Sequence, residues 1–186
     1  MCVWWISTDS SVEEKEEEVM SKLVMIIDDS PTVRKIIETS LKREGFRSVR
    51  YPDEFETLRA APNPGYSMPD LVVSYPDGIE ALDALTDPRH PIPDLVILDI
   101  GLPKMDGYEI ARRLKTKQQF SNSVIVMLSG RDGVIDRLKG RLAGAKEYLT
   151  KPFKTQDVIS IIHSYIGVPT LRENPSAKAP VFSSGG

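Results

Sequence analysis

The sequence predicts an α/β domain, a doubly wound parallel sheet with helices on both faces, on three observations. Short runs such as Leu23–Ile27, Leu95–Leu98 and Val124–Leu128 are almost continuously apolar, as strands covered on both sides must be. They alternate with stretches of helical periodicity. Each run is also followed directly by a polar residue: Asp28, Asp99 and Ser129. In an open parallel sheet, that is where ligands bind.

Taken in order, the first run leads into Ser30-Pro31, an N-cap followed by proline at the first helical position, and then into a helix whose apolar face is Val33, Ile36, Ile37 and Leu41. Residues 49–73 and 73–97 then match at a spacing of 24. Tyr51-Pro52-Asp53 pairs with Tyr75-Pro76-Asp77, and Pro69-Asp70-Leu71-Val72 with Pro93-Asp94-Leu95-Val96; twelve of twenty-five aligned positions are identical without a gap. This is an internal duplication of one strand-helix unit, too short for a solenoid. In the first copy Tyr75 stands where the second has Asp99, so only the second copy leads into an acidic site.

Asp77 and Glu80, three residues on, resemble a capping box. Beyond Val124–Leu128, Ile135, Leu138 and Leu142 mark another apolar helix face. A last strand at Tyr148-Leu149 precedes Lys151, and a last helix carries Val158, Ile161, Ile162 and Tyr165.

The flanks read differently. Residues 1–20 hold the acidic run Glu13–Glu18, broken only by Lys15, a composition that favours solvation over packing, and Met20 offers an alternative start. Residues 168–186 carry prolines and small residues without periodicity and read as a disordered tail with no room for an output domain. One domain over 21–167 is therefore expected. Trp4 and Trp5 form an apolar spot that either docks on something or is noise.

Composition narrows the function. A net charge of -3, with Lys and Arg scattered evenly, offers no stripe to neutralise nucleic-acid phosphates, so direct binding to nucleic acid is not expected. The single cysteine, Cys2, allows no internal disulfide, and no apolar stretch is long enough to cross a bilayer, which predicts a cytoplasmic protein without membrane contact. His90 lies in a proline-rich loop and His163 on a helix without a second ligand, so both are read as structural.

The chemistry concentrates at the strand ends. Asp28, Asp29 and Asp99 in one cleft repel each other unless a cation joins them, and Mg²⁺, which prefers hard oxygen ligands, suits that set. As bland alternatives, Asp28-Asp29 would be a capping pair, a task for which Ser30 is the better residue, and Ser129-Gly130 would be only a turn. Lys151 precedes Pro152, whose peptide bond in the cis form would turn the lysine into the cleft.

Together Ile26-Ile27-Asp28-Asp29-Ser30, Leu98-Asp99-Ile100-Gly101-Leu102-Pro103-Lys104-Met105-Asp106-Gly107, Val126-Met127-Leu128-Ser129-Gly130 and Leu149-Thr150-Lys151-Pro152-Phe153 resemble the bacterial response-regulator receiver family over residues 21–167. Segment Ser129–Phe153 further resembles the small stand-alone receivers of twitching-motility and chemotaxis-like systems. The resemblance implies a CheY-like, flavodoxin-like three-layer sandwich in a single-domain regulator of a two-component phosphorelay. In that family the second strand lies at the edge of the sheet, and the second copy runs into Asp99 with the family's spacing; the resemblance therefore implies that Leu71–Tyr75 is this strand, beside the first, and Asp77–Leu85 its helix, with residues 47–62 as an extra strand-helix excursion at that edge, where few core contacts depend on them. The rival arrangement seats Ser48–Tyr51 beside the first strand and projects residues 53–75 outward. Asp99 would be the phosphoacceptor, forming an aspartyl phosphate with a group taken from a sensor histidine kinase or phosphotransfer protein. Mg²⁺ would be held by Asp28, Asp29, Asp99 and the Gly101 backbone carbonyl. Ser129 and Lys151 would contact the phosphoryl group, and Ser129 and Tyr148 would form the switch that repacks the surface for a downstream protein target, as a monomer or a phosphorylation-linked dimer. Gly101 and Arg131 would flank the entry of hydrolytic water.

Such a protein is no enzyme proper, since it catalyses only its own phosphoryl transfer and dephosphorylation. Two rival classes stand beside it. An aspartyl-nucleophile phosphatase needs an acid two residues after its nucleophile, where this chain has Gly101. A phosphate-independent interaction module would keep the fold without needing Asp28, Asp29, Asp99, Ser129 and Lys151.

Overall fold

Continuous apolar runs make the centre of the sheet, and the burial along them is complete: every residue of β1 (Leu23–Ile27) and β4 (Leu95–Asp99) is buried. The computed structural model describes residues 21–60, 68–130 and 133–168. The remaining elements are α1 (Pro31–Arg43), β2 (Arg47–Ser48), α2 (Asp53–Ala60), β3 (Leu71–Tyr75), α3 (Gly78–Ala84), α4 (Gly107–Thr116), β5 (Val124–Ser129), α5 (Val134–Leu142), β6 (Glu147–Thr150) and α6 (Thr155–Ile166). The six strands lie in the order β2-β3-β1-β4-β5-β6, all parallel. The predicted doubly wound sheet is therefore present, and strand order reverses between β1 and β4.

Two apolar layers sandwich it. On one face Ile37 and Leu41 of α1 and Val158, Ile159 and Ile162 of α6 cover Val24, Ile26, Leu95 and Ile97. On the other, Phe55 of α2, Ala81 of α3 and Ile110 and Leu114 of α4 cover Met25, Ile27, Val96 and Leu98. Both predicted N-caps form, Asp77 supplying its own half of the predicted box: Ser30 Oγ accepts from Val33 N–H at 3.3 Å, and Asp77 Oδ1 accepts from Ile79 and Glu80 N–H, both at 2.9 Å.

The duplication is laid out as two successive strand-helix units. Val72 and Val73 pair with Val24 and Met25 of β1, so Leu71–Tyr75 is the inner strand, while Arg47 and Ser48 add a short edge strand outside it. The rival register is excluded. Shifted by 24 residues, β3 coincides with β4, and Tyr75 takes the strand-end place that Asp99 holds.

One expectation fails. The face Ile135, Leu138 and Leu142 of α5 is not core: these residues are 69%, 56% and 79% exposed. The helix meets the sheet instead through Gly140, whose absent Cβ leaves room for Met127 Sδ and the Tyr148 ring, a Cβ there falling 3.1 and 3.3 Å from them. Small residues bring the backbone close, so the large apolar side chains end up on the outer side. Ile36 and Tyr165, placed on apolar faces by periodicity, are likewise exposed.

His90 is structural, as read from its loop. Its Nδ1 lies 2.7 Å from the Pro91 carbonyl, which can only accept, so Nδ1 carries the hydrogen and Nε2 accepts from the Tyr75 hydroxyl at 3.0 Å. The Tyr51 ring packs on it at 4.3 Å between centroids. Burial lowers the imidazole pKa, against the smaller pulls of the Pro91 carbonyl and Asp87. The unfolded chain therefore takes up this proton first. The neutral ring's contribution is intact above the ordinary histidine value of about 6.5 and is lost as pH falls through the lowered folded value. In urea melts at about pH 7 and about pH 5, wild type should lose more stability than His90→Gln; equal losses would refute this account. His163 Nε2 sits 3.3 Å from Glu44 Oε2.

Candidate phosphoryl and metal site

Strand register builds the site. Ile27 of β1 pairs with Leu98 of β4, so the next residues, Asp28 and Asp99, stand side by side on neighbouring strands. Leu128 pairs with Asp99, and Ser129 with Thr150, which carries Ser129 and Lys151 to the same end of the sheet. Asp28 is fully buried, Asp99 is 6% and Ser129 3% exposed, and Asp29 faces solvent.

The three carboxylates each present an oxygen within 4.8 Å of the others. Lys151 Nζ reaches in from β6 to 2.7 Å from Asp28 Oδ2 and 3.0 Å from Asp99 Oδ2. Its peptide bond to Pro152 is cis, as anticipated. Burial pushes the Asp28 carboxyl above the usual carboxylate range, although Lys151 and the Ser30 N–H, which donates to Oδ1 at 2.9 Å, pull the other way. Burial also lowers Lys151, but its bonds to Asp28 and Asp99 outweigh this and leave it raised, hence charged. With one ammonium against three carboxylates, the cleft can hold additional positive charge. Oxygen donors on a partly open cleft, with one exposed carboxylate, fit a hard divalent ion that keeps some of its waters.

The loop from Ile100 to Asp106 closes one wall. Gly101 N–H donates to Asp99 Oδ1 at 3.2 Å. Gly107 packs so tightly that a Cβ there would lie 2.4 Å from the Asp99 carbonyl oxygen and 2.8 Å from Ile100 Cα. Lys104, at φ 68°, bonds Asp77 Oδ2 at 3.0 Å and ties this wall to the cap of α3.

Tyr148 on β6 is half-buried, with the Arg137 guanidinium 5.3 Å above its ring and Gly140 beneath. The neighbouring Tyr108 hydroxyl is pushed up to about 12, by burial first and by Tyr148 next. Among the described residues, the predicted side chains of Asp28, Asp29, Asp99, Ser129 and Lys151 thus come together at one strand-end cluster, and Tyr148 stands behind it on β6. Arg131 lies outside the described residues, as do residues 1–20 and 169–186, where the extension and most of the tail fall.

Sequence reasoning missed Arg34, whose guanidinium donates to the Asp28 carbonyl from the second turn of α1. It also passed over the Lys104–Asp77 tie. Neither has a sequence signal: the first depends on how α1 folds back over the end of the strand six residues before Arg34, the second on how the loop lies against the cap of a helix 27 residues away.

Residues 66–163 match the family model of the response regulator receiver domain. The match starts near the end of the first copy, just ahead of β3; β1 and its two aspartates lie ahead of it, across the extra unit. Protein PilG of Pseudomonas aeruginosa is 32% identical over 143 residues, which is 77% of this chain and 86% of PilG. The chain spans about half the length of the transcriptional regulators it also matches. Among solved structures, the Vibrio cholerae chemotaxis protein CheY4 superposes with a TM-score of 0.58 at 22% identity, covering 79% of this chain and 100% of that one. The receiver domain of the Pseudomonas aeruginosa sensor histidine kinase PA1611, solved with a magnesium ion coordinated in its active-site cleft, superposes at 0.58 with 24% identity, covering 79% and 98%. At such identities the structural likeness speaks for the fold. Among the described residues no helix is long and apolar enough to cross a membrane.

Proposed function

Since the chain belongs to the response regulator receiver domain family of two-component systems, we propose that it is a cytoplasmic signalling switch that takes a phosphoryl group onto Asp99 from a sensor histidine kinase or phosphotransfer protein. The observation that carries this reading is the buried Asp99 carboxylate sharing the Lys151 ammonium with Asp28 at the strand-order reversal. A carboxylate oxygen of Asp99 attacks the phosphorus of a phosphohistidine; the P–N bond breaks as the acyl phosphate forms, and the histidine nitrogen keeps the electron pair. Lys151 neutralises charge on the phosphoryl oxygens, the electrostatic task that dominates such transfers. Ser129 donates its hydroxyl to the same group. Asp28, Asp29, Asp99 and the Gly101 carbonyl would hold Mg²⁺, which when bound offsets the charge of carboxylates and phosphoryl group together.

Loss of negative charge from Asp99 and its relocation onto the phosphoryl oxygens would draw Lys151 away from its present bonds and Ser129 toward the new group. Tyr148, half-buried on the adjoining strand, would repack and alter the α5–β6–α6 surface for a downstream protein, with or without dimerisation. The likeness to PilG supports a place in pilus motility or chemotaxis-like control.

The test is incubation with Mg²⁺ and acetyl phosphate followed by intact-mass measurement. One phosphoryl group should be added, and only when Mg²⁺ is present. No addition would leave a phosphate-independent interaction module. Ion binding has its own check: Mg²⁺ at about a hundred times its Kd should stabilise wild type by roughly 2.7 kcal/mol in thermal melts. Asp29→Asn removes an exposed ligand without disturbing the core, and most of that gain should vanish. An undiminished gain would place the ion elsewhere.

A further inference from the structure

The outer side of α5 is unusual for a surface helix. Val134, Ile135, Leu138 and Leu142 make a continuous apolar stripe, each residue 56% to 84% exposed. At one turn apart, Arg137 and Arg141 run along the flank facing β6, and Lys139 lies on the other flank. Beside Arg137 and Arg141 a cavity of about 70 Å³ opens over Gly140 and Ala145, with Lys146 and Glu147 at its rim and Tyr148 as a wall; the Glu147 carboxylate accepts from the Tyr165 hydroxyl at 2.8 Å, and three cations against this one acid leave the border positive. An apolar stripe between cationic borders asks for an occupant with the opposite pattern: large apolar side chains interspersed with carboxylates.

That pattern occurs in this chain. Residues 1–20 contain Val3-Trp4-Trp5-Ile6 and Val12, followed by Glu13, Glu14, Glu16, Glu17 and Glu18. We propose that this segment docks along the α5 stripe of its own chain, with Trp4 and Trp5 covering Leu138 and Leu142 and the glutamates meeting Arg137, Lys139, Arg141 and Lys146. Reach is no obstacle. The described chain begins at the start of β1, and α5, running opposite to the parallel strands, ends at that same edge of the sheet. α5 is packed beside β5 and β6, so the span is about three strand spacings, roughly 15 Å, while fifteen extended residues reach roughly 50 Å. A second copy of the stripe is a poorer occupant, because face-to-face pairing would bring the cationic borders together.

Docking needs no phosphoryl chemistry and stands or falls without it. Its regulatory meaning, that the segment competes with a downstream target for the surface beside Tyr148, rests on the signalling reading above.

Trp4 and Trp5 are the only tryptophans in the chain, so intrinsic tryptophan emission reports on this segment alone. The full chain, without Mg²⁺ or phosphodonor, should emit to the blue of its urea-unfolded form and be protected from acrylamide. Leu138→Glu and, separately, Arg141→Glu replace exposed side chains; each should move emission to the red and restore quenching while far-ultraviolet circular dichroism stays unchanged. Emission in wild type equal to that of the unfolded chain overturns the proposal, and so does a blue emission that both variants leave in place. A blue shift that grows with protein concentration together with a dimer mass in light scattering assigns the face to a second copy and overturns it as well. A failure of acetyl phosphate labelling would bear only on the signalling reading.

Discussion

Asp99→Asn should abolish phosphoryl uptake from acetyl phosphate while leaving the fold at least as stable as wild type. The amide is a far poorer nucleophile than the carboxylate it replaces, and Asp99 shares Lys151 with Asp28 but keeps 6% exposure where Asp28 has none, so the intact mass should show no added phosphoryl group. Stability should not suffer, because the acid is there for chemistry. Carboxylates with oxygens within 4.8 Å repel by roughly 3 to 4 kcal/mol per pair at an effective dielectric of about 20, and one lysine offsets only part of this. Removing one charge relieves the repulsion, and the Asn oxygen still accepts from Lys151, now 3.0 Å from Asp99 Oδ2. In chelator, the melting temperature of Asp99→Asn should equal or exceed that of wild type. Uptake persisting at the wild-type level would move the acceptor to another residue, and a clear loss of stability would mean that Asp99 is a structural acid.

Gly107→Ala should be the most damaging single-methyl change at the site. A Cβ at this position meets the backbone at the end of β4: the Asp99 carbonyl oxygen at 2.4 Å, Ile100 Cα at 2.8 Å and the Asp99 carbonyl carbon at 3.1 Å. None can rotate away, so either α4 is displaced or the end of β4 shifts. Overpacking against rigid surroundings costs about 3 kcal/mol, a fall of roughly 6 to 12 °C in Tm for a chain of this size. Displacing β4 also moves Asp99 from Lys151, so labelling should slow in parallel. Gly78→Ala is the control. Its Cβ would come within 2.1 Å of Ile110 Cδ1 and 2.9 Å of Ile110 Cγ1, a closer approach, but to side-chain atoms of a buried isoleucine that can shift by a rotamer change rather than to backbone. The larger loss should therefore belong to Gly107→Ala; the reverse order would show that the β4–α4 junction yields more readily than its contacts imply.

These residues also mark how far the chain could be read without coordinates. Continuous apolar runs identified β1, β4 and β5, because strands buried on both faces leave no room for polar residues. The polar residue after each run located Asp28, Asp99 and Ser129; the spacing of 24 revealed two matching units, and the resemblance to the receiver family placed Leu71–Tyr75 beside β1, with the extra unit outside it. The Tyr148 position on β6 was legible; what touches it was not.

What the sequence determined by itself was therefore the set of elements, their parallel order around the site and the residues that meet there, since each follows from local patterning along a run of neighbours. Only the tertiary structure decided which side of α5 is covered, that Arg34 holds the Asp28 carbonyl, that Lys151 bridges Asp28 and Asp99, and that Lys104 ties the loop to α3. Periodicity shows that a helix has an apolar side but not whether anything lies against it. The small residue Gly140 lets the α5 backbone approach the sheet and leaves the large side chains outside. Pairings such as Lys151 with Asp28, 123 residues apart, depend on strand register and helix placement, which are set by packing across the whole domain.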